Sequence, residues 1–212
     1  MSSACSRACK GDLPASSPKP PSRRSDTPEQ LRDVLLQVMA ERAPDLPEHL
    51  SEVALMARAV GRQMGLAGED LEVLVRAAEL HDVGKLAVPD VILQKQSALD
   101  ASERAIIERH CEVGERILAA APAMGPVSCL VRASHERFDG AGYPDRRVGA
   151  EIPLGARIIA VCDAFHAMTD NRPYRSGMGT VDALSRLRKA AGSQFDPEVV
   201  EAFGAILVAG EA

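Results

Sequence analysis

The run LEVLVRAAELHDVGK, residues 71–85, decides how the rest of this chain is read. Leu71, Leu74, Val75 and Ala78 recur at the spacing of one helical face. That spacing predicts a helix from about residue 69 to residue 83, ended by Gly84. His81 and Asp82 stand at the end of the pattern. An imidazole beside a carboxylate is an ordinary dipeptide, but isolated residues answer it far along the chain: His49, His110, His135 and Asp163. The set holds four of the five histidines, each at or near a segment that reads as helix.

Outward from this run the helical pattern is almost unbroken. Upstream, Leu31, Val34, Leu35, Val38 and Met39 form one apolar stripe, and a second helix is predicted over residues 47–64 with Gly65 as its C-cap. Downstream, Asp100 and Glu103 resemble a capping box opening a long helix through Ile106, Ile107, His110, Val113, Ile117 and Leu118. Further helices are predicted over 127–138, 154–168 and 181–191, and a last one after Asp196-Pro197, a good N-cap and first-turn pair. Between two of them lies DGAGYPDRRVGAEIP, residues 139–153, too long for a simple turn. Residues 1–27 are rich in Ser, Pro and charge without apolar periodicity, which reads as a disordered tail. The expected fold is all-α: one helical-bundle domain over residues 28–212 behind that tail.

The bulk numbers agree. A chain of 212 residues can bury one good core, and with no Trp and 3% aromatics its apolar content sits on aliphatic helix faces. A net charge of −5 argues against broad DNA or RNA binding, which needs a basic face, while a few local Arg and Lys suffice for a small phosphorylated ligand. The five cysteines, Cys5, Cys9, Cys111, Cys129 and Cys162, form no C-x-x-C pair, and the last three read as reduced, buried thiols. No apolar run approaches membrane-spanning length and no secretory signal is visible, so the expectation is a cytoplasmic protein without a membrane partner.

Nitrogen and carboxylate ligands converging from several helices suit a hydrolytic Fe, Mn or Zn site better than a structural zinc, which usually takes cysteines. Asp82 can offer one oxygen to each of two cations. His49, His81 and Asp163 would serve the first, and His110 and His135 the second. Two such cations hold a water or hydroxide between them and polarise a phosphoryl oxygen. Close by in sequence, NRPYR presents the guanidinium forks of Arg172 and Arg175, which suit phosphate oxygens.

The blocks LHDVGKLAVPD, ERHCEVGERIL, SHERFDGAGYP and IPLGARIIAVCDAFHAMTDNRPYR, in that order, resemble the HD-GYP family of the HD phosphohydrolase superfamily. The likeness runs from about Asp45 to Phe203, and Gly142-Tyr143-Pro144 separates it from plain HD hydrolases. It implies an HD-type bundle and cleavage of cyclic di-GMP to pGpG or GMP by a metal-bound hydroxide. It also implies two divalent transition-metal ions, Fe or Mn ahead of Zn. His49, His81, Asp82, His110, His135 and Asp163 match metal ligands, and Lys85 matches a lysine near the scissile phosphate. Asp82 and Lys85 are thereby the catalytic pair. Lys85, Tyr143, Arg172 and Arg175 match substrate-binding positions. Asp45 falls where some members carry a glutamate for an additional metal.

Two departures from the family pattern matter. Ser134 replaces one imidazole of a common His-His-Glu, which points to two metals rather than three. His166 stands where the family has an aspartate, one helical turn from Asp163. It is open there to orienting water, binding phosphate, adding a ligand, or sitting at the rim. Two alternatives therefore accompany the phosphodiesterase: a degenerate module that binds a cyclic dinucleotide or a protein without turnover, and an HD phosphohydrolase acting on another nucleotide. Relatives attach such domains to sensor modules. None is visible here, so input is expected from the tail, from oligomerisation or from a separate signalling protein. The stripe from Leu31 to Met39 reads first as a helix capping its own core and second as a homodimer seam.

Overall fold

The computed structural model describes residues 27–42, 46–170 and 177–210. Apart from Thr27, the expected tail lies outside the described residues, as do Asp45, Arg172 and Arg175. Among the described residues the chain forms α1 (Pro28–Arg42), α2 (Leu46–Gln63), α3 (Gly68–Leu80), α4 (Asp90–Leu93) and α5 (Ala101–Glu108). These are followed by α6 (His110–Ala119), α7 (Gly125–Ala133), α8 (Leu154–Thr169), α9 (Thr180–Ala190) and α10 (Pro197–Gly210). There is no strand among them, only isolated bridges at Asp139–Val148 and Ala191–Phe195, and the fold is all-α as the aliphatic periodicity predicts.

The bundle is built around α2, which packs against α3 on one side and α8 on another. Leu50, Val53, Ala57 and Val60 recur at helical spacing and meet Leu71, Leu74 and Ala78 of α3 and Ile158, Val161 and Phe165 of α8. Burying each large aliphatic side chain contributes roughly 1.5–3 kcal/mol, so this seam fixes the relative placement of the three helices. In α1 the predicted stripe divides. Met39 is buried and Leu31 and Leu35 pack on the same core, while Val34 and Val38 are exposed. Cys111 and Cys162 are buried as expected; Cys129 is exposed, contrary to its reading as a core thiol.

Three helix ends differ from the sequence expectation, and all three lie beside His and Asp residues of the candidate ligand set. α3 stops at Leu80 rather than near residue 83, and the chain tightens into a 3₁₀ turn over Val83–Ala87. His81 and Asp82 are therefore at a joint, not one turn inside a helix. Gly84 does not cap α3; it lets the turn touch α6. A Cβ at Gly84 would lie 1.9 Å from the His110 carbonyl oxygen and 2.7 Å from the Gly114 nitrogen. From the other side, the Arg42 guanidinium donates to the carbonyls of Leu86 and Val88 and pairs with Asp90 at 2.6 Å.

The capping box at Asp100 and Glu103 forms, with Glu103 N–H donating to Asp100 Oδ1 and Asp100 N–H donating to Glu103 Oε2, both at 2.9 Å. The helix it opens is not continuous. It ends at Glu108 and restarts at His110; α5 buries no residue fully, whereas α6 buries His110, Cys111, Gly114 and Leu118. α7 ends at Ala133, leaving Ser134, His135 and Glu136 beyond it.

The long loop that follows is tied down throughout. The buried Glu136 carboxylate accepts the Asp145 N–H at 2.7 Å and the Arg147 N–H at 3.2 Å. Phe138 and Asp139 N–H groups donate to the Gln194 and Ser193 carbonyls. Gly142 sits where a Cβ would lie 2.3 Å from the Arg137 nitrogen, so only glycine permits this return of the loop onto its own start. The Tyr143–Pro144 peptide is cis. Asp196 caps α10, its Oδ1 accepting the Glu198 N–H at 2.9 Å, as the Asp-Pro pair predicts.

Gly84→Ala is expected to force the 3₁₀ turn away from α6 and destabilise the protein by about 2–3 kcal/mol, an overpacking cost at backbone that has little room to yield. Chemical denaturation of the two proteins checks this, and Gly125→Ala, where a Cβ would meet nothing within 4 Å, serves as the neutral comparison.

Candidate metal centre

His81 and Asp82 leave the joint between α3 and the 3₁₀ turn pointing into the bundle, 1% and 3% exposed. His49 comes from α2, His110 from the start of α6, His135 from two residues beyond α7 and Asp163 from α8. The structure brings all six together. His49 Nε2 is 3.3 Å and His81 Nε2 is 3.8 Å from Asp163 Oδ1. Asp82 faces two ways. Its Oδ2 lies 3.7 Å from His81 Nε2, and its Oδ1 lies 3.5 Å from His110 Nε2 and 3.9 Å from His135 Nε2.

Apart from the 3.3 Å contact of His49 with Asp163, these separations are longer than ordinary hydrogen bonds, and all lie at or somewhat beyond the ~3.3 Å between two atoms bound tetrahedrally to one ion at ~2.0–2.1 Å. His81 Nε2, Asp82 Oδ1 and His135 Nε2 are buried without any hydrogen-bond partner among the described residues. Buried polar atoms are nearly always paired, so three of them facing one another is the pattern expected of a cation site. The histidine tautomers agree. His81 Nδ1 lies 2.8 Å from the Ala78 carbonyl and His110 Nδ1 lies 2.7 Å from the Ile107 carbonyl. A carbonyl only accepts, so each Nδ1 carries the proton and each Nε2 presents its lone pair inward. The donor set thus fits metal in two groups, His49–His81–Asp82 and His110–His135 with the neighbouring Cys111.

Electrostatics reinforce this arrangement. Burial opposes ionisation of Asp82, but Lys85, with Nζ 2.6 Å from Oδ2, and then His81 outweigh it and hold the carboxyl well below the usual range. The same contact overcomes burial at Lys85 and keeps its ammonium above the ordinary lysine value. Burial, followed by the charge of His135, lowers His110 to about 4, so its ring is neutral and a competent ligand at physiological pH. Burial pushes the Cys111 thiol up to about 12, although its sulfur is only 3.7 Å from His110 Nε2.

Tyr143 lies against His135, ring centroids 5.4 Å apart and nearly parallel, and its N–H donates to the His135 carbonyl. A cleft of about 360 Å³ opens beside it, lined by Arg104, Ser134, His135, Tyr143 and Asp163. A second of about 700 Å³, lined by Arg109, Glu112 and Arg146, lies along the same Gly142–Tyr143 segment. Ser134 turns its hydroxyl to the Val131 carbonyl at 2.9 Å. His166 has both ring nitrogens occupied, Nδ1 at 2.8 Å from His49 Nδ1 and Nε2 at 2.7 Å from Glu52 Oε2. With no nitrogen left over, it neither adds a ligand nor grips phosphate in this arrangement. Sequence reading missed Glu52, Arg104 and Cys111 as neighbours of the centre. Glu52 alone carried a signal, three residues after His49 and hence on its helical face.

Residues 33–199 match the HD domain family. The chain is 39% identical over 155 residues to the cyclic di-GMP phosphodiesterase response regulator RpfG of Xanthomonas campestris, covering 72% of this chain and 41% of that protein. It is 34% identical over 178 residues to the 3'3'-cGAMP-specific phosphodiesterase 2 of Vibrio cholerae, covering 83% of this chain and 34% of that one. It spans less than half the length of either. Its fold is similar to the crystal structure of the Vibrio cholerae cyclic GMP-AMP phosphodiesterase V-cGAP3, with a TM-score of 0.63 at 20% identity over 84% of this chain and 49% of that one. With a family match across most of its length and the GYP loop built against its histidines, this chain belongs to the HD domain family, in the HD-GYP group of phosphohydrolases.

Proposed function

We propose that this chain is a metal-dependent phosphodiesterase that opens a cyclic dinucleotide, cyclic di-GMP first among them, and that residues 28–212 form its catalytic unit. One observation carries the proposal: the unpartnered Nε2 atoms of His81 and His135 face Asp82, whose Oδ1 is itself unpartnered and whose two oxygens face different imidazoles. The relatives' names supply the substrate class, since they include both cyclic di-GMP and 3'3'-cGAMP phosphodiesterases.

His49, His81, Asp82 and Asp163 would hold one ion, and Asp82, His110 and His135 the other. Iron or manganese suits this nitrogen and oxygen set. When bound, such ions supply a nucleophile from water at neutral pH and polarise a phosphoryl oxygen. The chain's own residues do the rest. Lys85 keeps its ammonium at the carboxylate edge of the site, where it offsets charge gathering on the phosphoryl oxygens. Tyr143 braces His135 and forms the wall shared by the two clefts, whose volumes fall in the range of small-molecule sites. Arg104 lines the inner cleft with no ion-pair partner among the described residues, which suits it to a substrate phosphate.

Three outcomes follow. Chelation of the purified protein should lower its thermal midpoint by roughly 5–10 °C, restored by Mn or Fe, because ligand held at about 100 times its dissociation constant adds about 2.7 kcal/mol to a domain of this size. Asp82→Ala should abolish metal retention and cut cleavage of cyclic di-GMP by more than about 100-fold, read by elemental analysis and timed chromatography of pGpG and GMP. Arg104→Ala should raise KM about 10-fold with kcat nearly unchanged. Tight metal and nucleotide binding with no product in either metal would remove the catalytic claim and leave a binding module.

A further inference from the structure

His166 is a nearly buried imidazole whose place in the site is defined entirely by two hydrogen-bond contacts. Its Nδ1 is 2.8 Å from His49 Nδ1, and its Nε2 is 2.7 Å from a carboxylate oxygen of Glu52, which is about half exposed at the surface of α2. Two ring nitrogens facing each other can share only one proton, so one must donate and the other accept. His49 turns its other nitrogen, Nε2, toward Asp163 Oδ1 at 3.3 Å, on the metal side.

We infer that Glu52 and His166 form an outer support that holds His49 in its metal-binding tautomer and orientation, making His166 a positioning residue of the centre. The inference rests on the metal reading of His49 given above. A ligating Nε2 offers its lone pair to the ion, which leaves the ring proton on Nδ1. That Nδ1–H donates to His166 Nδ1, so the His166 proton sits on Nε2, where the Glu52 carboxylate accepts it. Every donor in the chain of groups meets an acceptor, and the negative end lies at Glu52. Hydrogen bonding of this kind raises the basicity of the ligand and fixes its ring plane.

The other histidines with an identified outer contact use a backbone carbonyl, Ala78 for His81 and Ile107 for His110. His49 is held instead through a side chain, so its support can be removed by substitution without altering the backbone. The ring contact between His49 and His166 is edge-on, centroids 4.5 Å apart at 73°, so the rings meet through their nitrogens and do not stack.

The test uses the zinc-loaded protein, because zinc is diamagnetic. In uniformly ¹⁵N-labelled wild type, a nitrogen–nitrogen coupling across the hydrogen bond should join His49 Nδ1 to His166 Nδ1, with one ring proton protected from exchange. His166→Phe should lose that signal and bind zinc about 10–100-fold more weakly at the position His49 serves, with the thermal midpoint of the metal-free protein unchanged. His166→Asn, whose amide oxygen can accept the same proton, should restore most of the affinity. Glu52→Gln, at an accessible position that does not endanger folding, should cost a few-fold.

Wild-type protein that binds zinc but shows no coupling, or a His166→Phe protein that binds zinc as wild type does, overturns the support role while leaving the metal reading intact. Failure of wild type to bind zinc, manganese or iron takes down the metal reading itself, and this inference with it. If His166→Phe does not fold, Glu52→Gln carries the comparison, and zinc affinity equal to wild type in that protein counts against the inference.

Discussion

An ionised carboxylate buried at Asp82 is the constraint on which the remainder of this structure depends. Removing such a group from water costs several kcal/mol even after relaxation, and the cost is offset only where opposite charge and donors surround it. Lys85 approaches one oxygen at 2.6 Å, and imidazoles from α6 and from just beyond α7 approach the other. The 3₁₀ turn, the two glycines that let it contact α6, and the Arg42 clamp across its carbonyls all act to keep this one side chain in place.

Helix ends are part of the same device. The carbonyls in the last turn of a helix have no partner four residues on. α3 ends at Leu80 and α5 ends at Glu108, and the carbonyls of Ala78 and Ile107 lie in those final turns. Each meets the Nδ1 of a histidine placed just beyond its helix, His81 and His110. Had α3 run on to residue 83, or α5 through His110, those carbonyls would have been drawn into the helical ladder. The imidazoles would then have shared that acceptor with a ladder N–H, as His110 already shares the Ile107 carbonyl with the Arg109 N–H.

This explains what was legible in the sequence and what was not. Aliphatic spacing in residues 71–78 and along α2 and α8 reads directly as buried helix faces, because burial of one stripe is what stabilises them. The metal-type residues stand out because histidine is scarce and arrives in a patterned order. The helix ends near 80 and 109 are invisible to periodicity: Val83 and Val113 continue the apolar rhythm, and neither break carries a proline. Val34 and Val38 misled for the reverse reason, being apolar residues at helical spacing that the fold leaves in water. Glu52 and Glu136 look like ordinary solvated charges in the sequence. Only the tertiary arrangement gives the first a histidine partner and buries the second among loop N–H groups.

The local charge also bears on an apparent conflict between an acidic protein and the anionic substrate proposed for it. The chain carries a net charge of −5, which by itself repels phosphodiesters. Within the centre, Asp82 and Asp163 face one ammonium, Lys85, while His110 stays neutral through burial. Two carboxylates against one ammonium leave the protein part of the pocket about one charge negative, and bound divalent ions more than reverse that sign. Arg104 beside the inner cleft and Arg109 and Arg146 beside the outer one are largely offset by Glu108 and Glu112, so the Tyr143 wall adds little net positive charge of its own. Under the proposed reading, attraction for a cyclic dinucleotide is then conditional on metal occupancy. The unloaded pocket lacks the field that would draw in the anion, so metal loading is coupled to substrate affinity as well as to chemistry.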